Sequence, residues 1–323
     1  MKNLAISIIG GAGFIGQRLS RLIASEQSYE FHIYDKTAPK EFLDKSTLIN
    51  IMDGEKLSEV LKKEEVIINL AAEHKDDVSP VSLYYDVNVE GARNVCQAAE
   101  NNGVKKIIFT SSVAVYGLNK ENPNEDFETD PFNHYGKSKL EAEEVYREWQ
   151  QKAPAERSLV IIRPTVVFGE NNRGNVYNLL KQIASGKFLR IGKGNNRKSM
   201  AYVGNVVSFL SYCLNADAGV HLYNYVDKPD LSTRELIQIC DKSLGKNTPK
   251  VSIPYPIGML AGYGFDVLSK VSGKSLPVSS VRIRKFCAKT AFDSTKAHSS
   301  GFKAPYSLQE GLEATLRHEF RDI

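Results

Sequence analysis

Hydrophobic residues in the first half of the chain form short runs that alternate with segments of helical periodicity. The runs predict six strands, at residues 4–9, 31–34, 46–51, 66–70, 106–110 and 159–162. The periodic segments predict helices at residues 14–25, 82–101 and 135–151. Because strands that alternate with helices pair in parallel through right-handed crossovers, the pattern predicts an α/β fold with a doubly wound parallel sheet, the Rossmann fold.

After Pro164 the pattern changes to loops rich in glycine, asparagine and lysine around one predicted helix at 177–185. Tyr202 and Val203 are predicted to open a further helix that returns to the main sheet. We therefore predict a cofactor-binding Rossmann domain at 1–165, to which 200–230 returns. A smaller, interleaved C-terminal domain at 166–323 is predicted to bind the substrate.

Composition narrows the class of protein only slightly. Of the 323 residues, 42% are hydrophobic and 25% charged, and the net charge of +4 is too small to indicate nucleic acid as a partner. The four cysteines lie far apart without a CxxC pair, which predicts reduced thiols in a cytoplasmic protein and no metal site. No stretch reaches the roughly 20 apolar residues that span a bilayer.

Gly10, Gly13 and Gly16 lie between the first predicted strand and helix with the spacing GxxGxxG. Glycines in this context allow a tight turn, a close approach of the backbone to a pyrophosphate, and close packing of helix on strand. Amides at the helix N-terminus then bind phosphate. Asp35 ends the second predicted strand, where a carboxylate accepts hydrogen bonds from a ribose diol and repels a 2′-phosphate, so we predict NAD as the cofactor.

Tyr135 and Lys139 are one turn apart on the same face of the predicted helix 135–151. A free phenol has a pKa of about 10, and the neighbouring ammonium is predicted to lower that pKa. Ser112 follows the fifth predicted strand, and its hydroxyl can hydrogen-bond the same substrate oxygen. Together these groups move a proton on or off an alcohol while a hydride leaves or returns. Three glutamates of the same helix are predicted to face solvent: Glu141, Glu143 and Glu144.

These motifs, in this order, resemble the extended short-chain dehydrogenase/reductases, in particular their nucleotide-sugar epimerases and dehydratases. The resemblance runs nearly from end to end and also includes residues 69–72, 88–91, 111–117, 162–164 and 198–203. Residues 276–287 resemble a bacterial subgroup of surface-polysaccharide and O-antigen biosynthesis. Relatives often form dimers through the helices predicted at 82–101 and 135–151, so the resemblance implies a homodimer.

The resemblance also implies roles for individual residues. Its catalytic positions are Ser112, Tyr135 and Lys139. Its cofactor-binding positions are Gly10, Gly13, Phe14, Ile15, Gly16, Asp35, Asn50, Ile51, Ala71, Ala72, Lys75, Asn88, Tyr135, Lys139 and Pro164. Its substrate-binding positions are Ser112, Tyr135, Arg197, Lys198 and Arg282.

Two positions after Ser112 narrow the reaction. Dehydratases of this family place Asp-Glu directly after the catalytic hydroxyl residue, whereas this chain has Val113 and Ala114, which cannot transfer protons. We therefore predict 4-epimerisation of a hexose through a 4-keto intermediate, with Tyr135 removing the C4 hydroxyl proton while hydride passes to NAD. The alternatives are an NAD(P)H-dependent 4-keto-sugar reductase and a non-catalytic NAD-binding regulator.

The sugar carrier stays open between two classes of diphosphate. In the subgroup, some members act on N-acetylhexosamine linked to a nucleotide, such as UDP-GlcNAc, and others on sugar linked to polyprenyl diphosphate. Residues 254–289 combine an apolar, aromatic run with a basic stretch, a pairing that either lies on an anionic membrane surface or forms a core helix beside phosphate-binding arginines. The first reading implies peripheral contact with the inner membrane face.

Overall fold

The computed structural model describes residues 4–61, 66–75, 78–186, 188, 190–248, 252–272 and 279–321, without the side chains at 281, 282, 285 and 286. The chain divides into two compact units. Unit 1 comprises Met1–Val167, Ala201–Val226 and Phe292–Tyr306, and unit 2 comprises Phe168–Met200, Asp227–Ala291 and Ser307–Ile323. Residues 292–306 thus belong to unit 1, where His298 and Ser294 hydrogen-bond the backbone of Val226.

Within the described residues, the strands are β1 Leu4–Ile9, β2 Tyr29–Asp35, β3 Ser46–Leu48, β4 Val66–Asn69, β5 Lys106–Thr110, β6 Ser158–Pro164, β7 Val166–Phe168, β8 Arg190–Ile191, β9 Arg197–Tyr202, β10 Gly219–Tyr225, β11 Asp227–Ser232 and β12 Ser252–Ile253. Seven of them form one sheet in unit 1, in the order β10-β6-β5-β4-β1-β2-β3. All neighbouring pairs in this sheet are parallel. The doubly wound α/β fold predicted from the sequence is therefore confirmed.

The helices are α1 Phe14–Glu26, α2 Gly54–Val60, α3 Ser82–Tyr85, α4 Gly91–Asn102, α5 His134–Gln151, α6 Asn175–Ala184, α7 Val203–Tyr212, α8 Thr233–Leu244, α9 Tyr255–Ser272, α10 Ser280–Cys287, α11 Thr295–Ser299 and α12 Leu308–Phe320. Every residue of β4 and β6 is buried, so both faces of the sheet are covered. One face packs on α2, α4 and α5 through a cluster that includes Leu57, Val95, Ile107, Trp149 and Leu159.

Two predicted elements differ in detail from the structure. The helix predicted at 82–101 is divided into α3 and α4 by one turn of π-helix, Asp86–Glu90. The strand predicted at 46–51 ends at Leu48, and the chain then turns so that the buried Ile51 packs against Gly91 at the start of α4. The hydrophobic run was therefore real, but its last member belongs to the core beside the sheet.

Unit 2 contains elements that the hydrophobic pattern did not reveal. In it, β9 pairs antiparallel with β11, and β8 pairs parallel with β12. Helices α8 and α12 each begin with a capping box, in which Ser232 and Ser307 exchange hydrogen bonds with Glu235 and Glu310 respectively. This Ser-x-x-Glu spacing is a helix-start signal that is present in the sequence at both positions.

Candidate active site

The glycine turn after β1 lies where the strand order of the sheet reverses, between β1 and β4. Ligands of doubly wound folds bind at this place, outside the carboxyl ends of the strands. Gly10 has a φ of +78°, and a Cβ added to it would lie 2.5 Å from the backbone nitrogen of Ala71. Gly16 packs as closely, since an added Cβ would lie 2.4 Å from Cα of Gly11. The turn therefore accepts only glycine at both positions.

The N-terminus of α1 fits the phosphates of a dinucleotide. Gly13 precedes the helix in an extended conformation, and no side chain of the described residues caps the terminus. Gly13 is also exposed, and because it is a glycine it has no Cβ that would shield the first amides of the helix from solvent. Phe14 and Ile15, the first two helical residues, thus present their backbone where uncapped helical N–H groups and the positive end of the helix dipole favour an anion.

Asp35, at the end of β2, is tied directly to the glycine turn. Its Oδ2 accepts a hydrogen bond from the Ala12 amide at 3.0 Å. Its Oδ1 accepts from the amide and the hydroxyl of Thr37 at 2.9 and 3.0 Å. These bonds fix the carboxylate beside the turn, which is the position that the ribose contact requires.

Asn88, in the π-helical turn, joins the segment after β4 to α5. Its side chain accepts from the Glu73 amide at 2.9 Å and donates to the Glu73 carbonyl at 3.0 Å. It also donates to Oγ of Ser138 at 2.9 Å. Ala71 and Ala72 begin this same segment, so Asn88 holds the predicted cofactor-lining stretch against the helix that carries Tyr135.

The remaining predicted cofactor positions lie in different surroundings. Asn50 is exposed after β3, and Lys75 is exposed in the segment after β4. Ile51 is buried in the core against Gly91. Pro164 ends β6, at the same carboxyl edge of the sheet as the glycine turn. Their roles toward the cofactor stay predictions.

Ser112 and Tyr135 are brought together by a close approach of two elements. Ser112 caps the short 3₁₀ turn Val113–Tyr116 by accepting a hydrogen bond from the Ala114 amide at 3.1 Å. A Cβ added to Gly136, near the start of α5, would lie 2.6 Å from the Ala114 carbonyl oxygen, so only glycine lets the helix pack this closely on the turn. Tyr135 consequently reaches the Ser112 side chain and hydrogen-bonds it.

The pKa of Tyr135 is set by different neighbours from the one that the sequence predicted. Burial raises the pKa of Tyr135, and the hydrogen bond with Ser112 is the interaction that lowers it. Lys139 was expected to supply the lowering, but it is 1% exposed, with Nζ 4.2 Å from the centroid of the Phe109 ring. Burial lowers the pKa of Lys139 itself to about 7, and the charge of Glu143 opposes this fall. At neutral pH, Lys139 in this structure therefore carries only part of the positive charge on which the prediction relied.

Glu143 corrects one sequence prediction outright. Glu141 and Glu144 are exposed as expected, but Glu143 is completely buried, one turn after Lys139 on the same face of α5. It accepts two hydrogen bonds from Arg163, Nε to Oε1 at 2.9 Å and Nη2 to Oε2 at 2.6 Å. The cationic partner on β6 explains why a carboxylate is stable there.

The buried pair extends into a hydrogen-bonded network under the predicted catalytic residues. Arg163 Nη1 donates to the hydroxyl of Tyr116 at 2.8 Å, which in turn donates to Asn224 on β10 at 2.8 Å. The Ser111 hydroxyl donates to Glu143. Burial opposes the charge of Arg163, but the hydrogen bonds and charge of Glu143 leave its pKa raised. The network fixes α5 against β6, β10 and the turn that follows Ser112.

Three of the predicted substrate residues, Arg197, Lys198 and Arg282, belong to unit 2. Arg197 on β9 is exposed and donates from Nη1 to the Asp230 carbonyl at 2.7 Å. Lys198 donates from Nζ to the Ala288 carbonyl at 3.2 Å, and burial lowers its pKa. Arg282 falls in α10, but its side chain lies outside the described residues. No cluster of three His, Cys, Asp or Glu suited to a metal ion occurs in the part of the chain that is described.

Comparison with known proteins decides the family. Residues 6–225 match the model of the NAD dependent epimerase/dehydratase family. The chain belongs to this family. The predicted resemblance, the assignment as an enzyme and the prediction of NAD as the cofactor are thereby confirmed.

Relatives support a narrower comparison. The chain is 58% identical, over 98% of its length and 95% of the relative's, to N-acetyl-alpha-D-glucosaminyl-diphospho-ditrans,octacis-undecaprenol 4-epimerase of Escherichia coli O157:H7. It is 27% identical, over 97% of its length and 94% of the relative's, to UDP-glucose 4-epimerase of Vibrio cholerae.

Solved structures support the fold. UDP-N-acetylglucosamine 4-epimerase from Bacillus cereus superposes with a TM-score of 0.77 at 17% identity, covering 98% of this chain and 100% of that one. UDP-glucose 4-epimerase of Thermus thermophilus, in complex with NAD, superposes with a TM-score of 0.75 at 20% identity, covering 99% of both chains. At these identities the likeness establishes the Rossmann-type architecture.

Proposed function

We propose that the protein is an NAD-dependent 4-epimerase that interconverts N-acetylglucosamine and N-acetylgalactosamine linked through diphosphate to a polyprenol. The observation that carries the proposal is the 58% identity to the E. coli undecaprenol-linked epimerase over nearly the whole of both chains. The hydrogen-bonded Ser112–Tyr135 pair beside a buried lysine supports it chemically. Polysaccharide and O-antigen biosynthesis is the process that uses such a lipid-linked sugar.

Each catalytic residue has a task that follows from its surroundings. Tyr135 takes the proton of the C4 hydroxyl and later returns it, and Ser112 shares a hydrogen bond with the same oxygen. NAD, when bound, would supply the hydride acceptor and donor that oxidation at C4 and the reverse reduction of the 4-keto sugar need. Lys139, buried under the site with a pKa of about 7, supplies a positive charge that favours the phenolate.

Asp35 and the uncapped N-terminus of α1 would hold the cofactor. The Asp35 carboxylate would bind the ribose diol, and the helix terminus would bind the pyrophosphate. Asn88 keeps the lining segment of Ala71 and Ala72 in place. Arg197, Lys198 and Arg282 of unit 2 are proposed to bind the diphosphate of the substrate. The reaction is redox-neutral, so no nucleotide is consumed.

Location and assembly complete the proposal. We place the enzyme in the cytoplasm, in peripheral contact with the inner membrane face, where a polyprenyl-linked substrate resides. We also propose a homodimer that packs α4 and α5 across a two-fold axis, which light scattering of the purified protein will test. A monomer at all concentrations would rule the dimer out.

The substrate is tested with two matched compounds. Purified protein is incubated with polyprenyl-diphospho-GlcNAc in detergent and, separately, with UDP-GlcNAc, and the released hexosamines are separated by chromatography. We expect N-acetylgalactosamine from the lipid-linked sugar at a rate well above that from UDP-GlcNAc. Preference for UDP-GlcNAc would identify a nucleotide-sugar epimerase, and a need for added NADPH would identify a 4-keto-sugar reductase.

A further inference from the structure

Helix α9 presents a continuous apolar face to solvent. Five large side chains on it are between 52% and 81% exposed: Ile257, Leu260, Val267, Leu268 and Val271. At 3.6 residues per turn, these positions and Gly264 between them fall within about one third of the helix circumference. Exposed apolar residues gathered into one stripe indicate a contact surface, whereas single ones do not.

The opposite face of α9 is already occupied by unit 2. A Cβ added to Gly262 would lie 2.9 Å from Cδ1 of Ile283 on α10, and one added to Gly258 would lie 2.8 Å from Cγ2 of Ile191 on β8. Asp266 also accepts a hydrogen bond from the Ser280 amide at the start of α10. Helix α9 is therefore fixed in orientation by these contacts, with its apolar stripe turned away from them.

The positive charge of the segment that contains the stripe indicates an anionic partner. Residues 254–289 contain six of the lysines and arginines of the chain but a single acidic residue, Asp266, so this segment carries +5 while the whole chain carries +4. Asp266 and Lys270, the charged residues within α9, lie outside the apolar stripe by helical spacing. Exposed cations are present at Lys270 and, on and after α10, at Arg284 and Lys289.

We propose that α9 lies in the plane of an anionic lipid bilayer, with its apolar stripe at the boundary between headgroups and acyl chains and the exposed cations Lys270, Arg284 and Lys289 on the headgroups. A second copy of the chain is disfavoured as the partner because it would bring another +5 segment against the first. Among the helices of the described residues, none is long and apolar enough to cross a bilayer.

This inference deepens the proposed function, on which it rests for the lipid-linked substrate. An enzyme anchored through α9 meets a polyprenyl diphosphate by diffusion in the plane of the bilayer. The bilayer contact itself is argued from the exposure of α9 and from the charge of 254–289, so it can be tested without substrate.

Flotation with vesicles tests the contact. The full chain is mixed with vesicles of phosphatidylglycerol or of phosphatidylcholine, and the fraction that floats is measured at low and high salt. We expect binding to phosphatidylglycerol that weakens with salt. The double substitution Leu260→Glu/Val271→Glu is expected to lower the bound fraction at least about tenfold, because it puts charge into the apolar boundary. Leu43→Glu, at a leucine of unit 1 that is 63% exposed, is the matched control and should bind as the native chain does.

Epimerisation of detergent-dispersed substrate distinguishes a failure of the bilayer contact from a failure of the proposed function. The double variant should keep native circular dichroism and native epimerisation in detergent. Failure of the native chain to float, or equal flotation of the double variant, overturns the bilayer contact even where epimerisation is intact. If the double variant were a monomer where the native chain is a dimer, and both floated equally, α9 would contact a second copy. This result would also overturn the bilayer contact. Flotation without epimerisation contradicts the proposed function alone.

Discussion

At the scale of single residues, the proposed proton transfer depends on Tyr135, whose pKa is set by its burial and by its neighbour Ser112. Burial raises the pKa of the phenol, and the hydrogen bond with Ser112 lowers it. Lys139, whose own pKa burial lowers to about 7, contributes its charge only to the extent that Glu143 preserves it. The sequence predicted the residues of this set, but burial, which decides their pKa values, was not visible in it.

Removal of the phenolic hydroxyl tests the role of Tyr135. Tyr135→Phe should lower kcat about 1,000-fold, in the range ordinarily lost with a general acid–base group. The cofactor should remain bound, because the glycine turn and Asp35 are untouched. Turnover and extracted NAD are measured on the same preparation. Full activity of Tyr135→Phe would refute the assignment.

Glu143 gives a pH-dependent prediction. Its carboxylate raises the pKa of Lys139 against the effect of burial, so Glu143→Gln should lower that pKa further. Because the charged lysine is the form that favours the phenolate, the alkaline limb of kcat against pH should move to lower pH. The free energy of unfolding should fall by about 3 kcal/mol, since Arg163 loses its buried partner.

Glu144→Gln is the control for this substitution, because Glu144 is the exposed neighbour on the same helix. Neither its pH profile nor its stability should change appreciably. The double variant Glu143→Leu/Arg163→Met, which removes both charges, should recover much of the stability but keep the shifted profile. A profile identical to that of the native enzyme would show that Glu143 has only a structural role.

At the scale of elements, α5 shows how much could be predicted from the sequence. Periodicity located this helix and put Tyr135 and Lys139 on one face, as found. The same periodicity misplaced Glu143, because a glutamate is assigned to solvent unless its partner is known. Arg163, that partner, is 20 positions away on β6, and only the parallel pairing of the sheet brings it beside α5. The π-helical turn around Asn88 likewise has no local sequence signal.

The glycine turn gives a prediction for one element. Gly10→Ala should lower the free energy of unfolding, because the new Cβ meets Ala71 and because the left-handed φ of +78° is unfavourable for alanine. Gly103→Ala is a matched control, since Gly103 has a φ of +68° with nothing within 4 Å of an added Cβ.

Urea denaturation of both variants should show a cost of about 1 kcal/mol for Gly103→Ala and at least about 2 kcal/mol more for Gly10→Ala. Gly10→Ala should also lose bound NAD, whereas Gly103→Ala should keep it. Equal costs in the two variants would mean that the turn does not need the close approach to Ala71.

At the scale of the whole molecule, the sheet was the most predictable part and unit 2 the least. Six of the seven strands of the sheet lie within or overlap the predicted runs, which is why their order along the chain predicted the fold. Strand β10, the seventh, has polar and half-buried residues at the edge of the sheet and no such run. In unit 2, β8 and β12 are too short to give a hydrophobic pattern. The sequence of α9 resembles that of a core helix, so only the structure shows that its apolar face is exposed.

The central claim is that the sugar is inverted by removal and return of the same hydrogen at C4. Polyprenyl-diphospho-GlcNAc is epimerised in D₂O by enzyme carrying its own NAD, and the N-acetylgalactosamine product is analysed by mass spectrometry and NMR. We predict protium at C4 with no added nucleotide consumed, because Tyr135 exchanges only the hydroxyl proton. Solvent deuterium at C4 would show that carbon is deprotonated instead and would contradict the account.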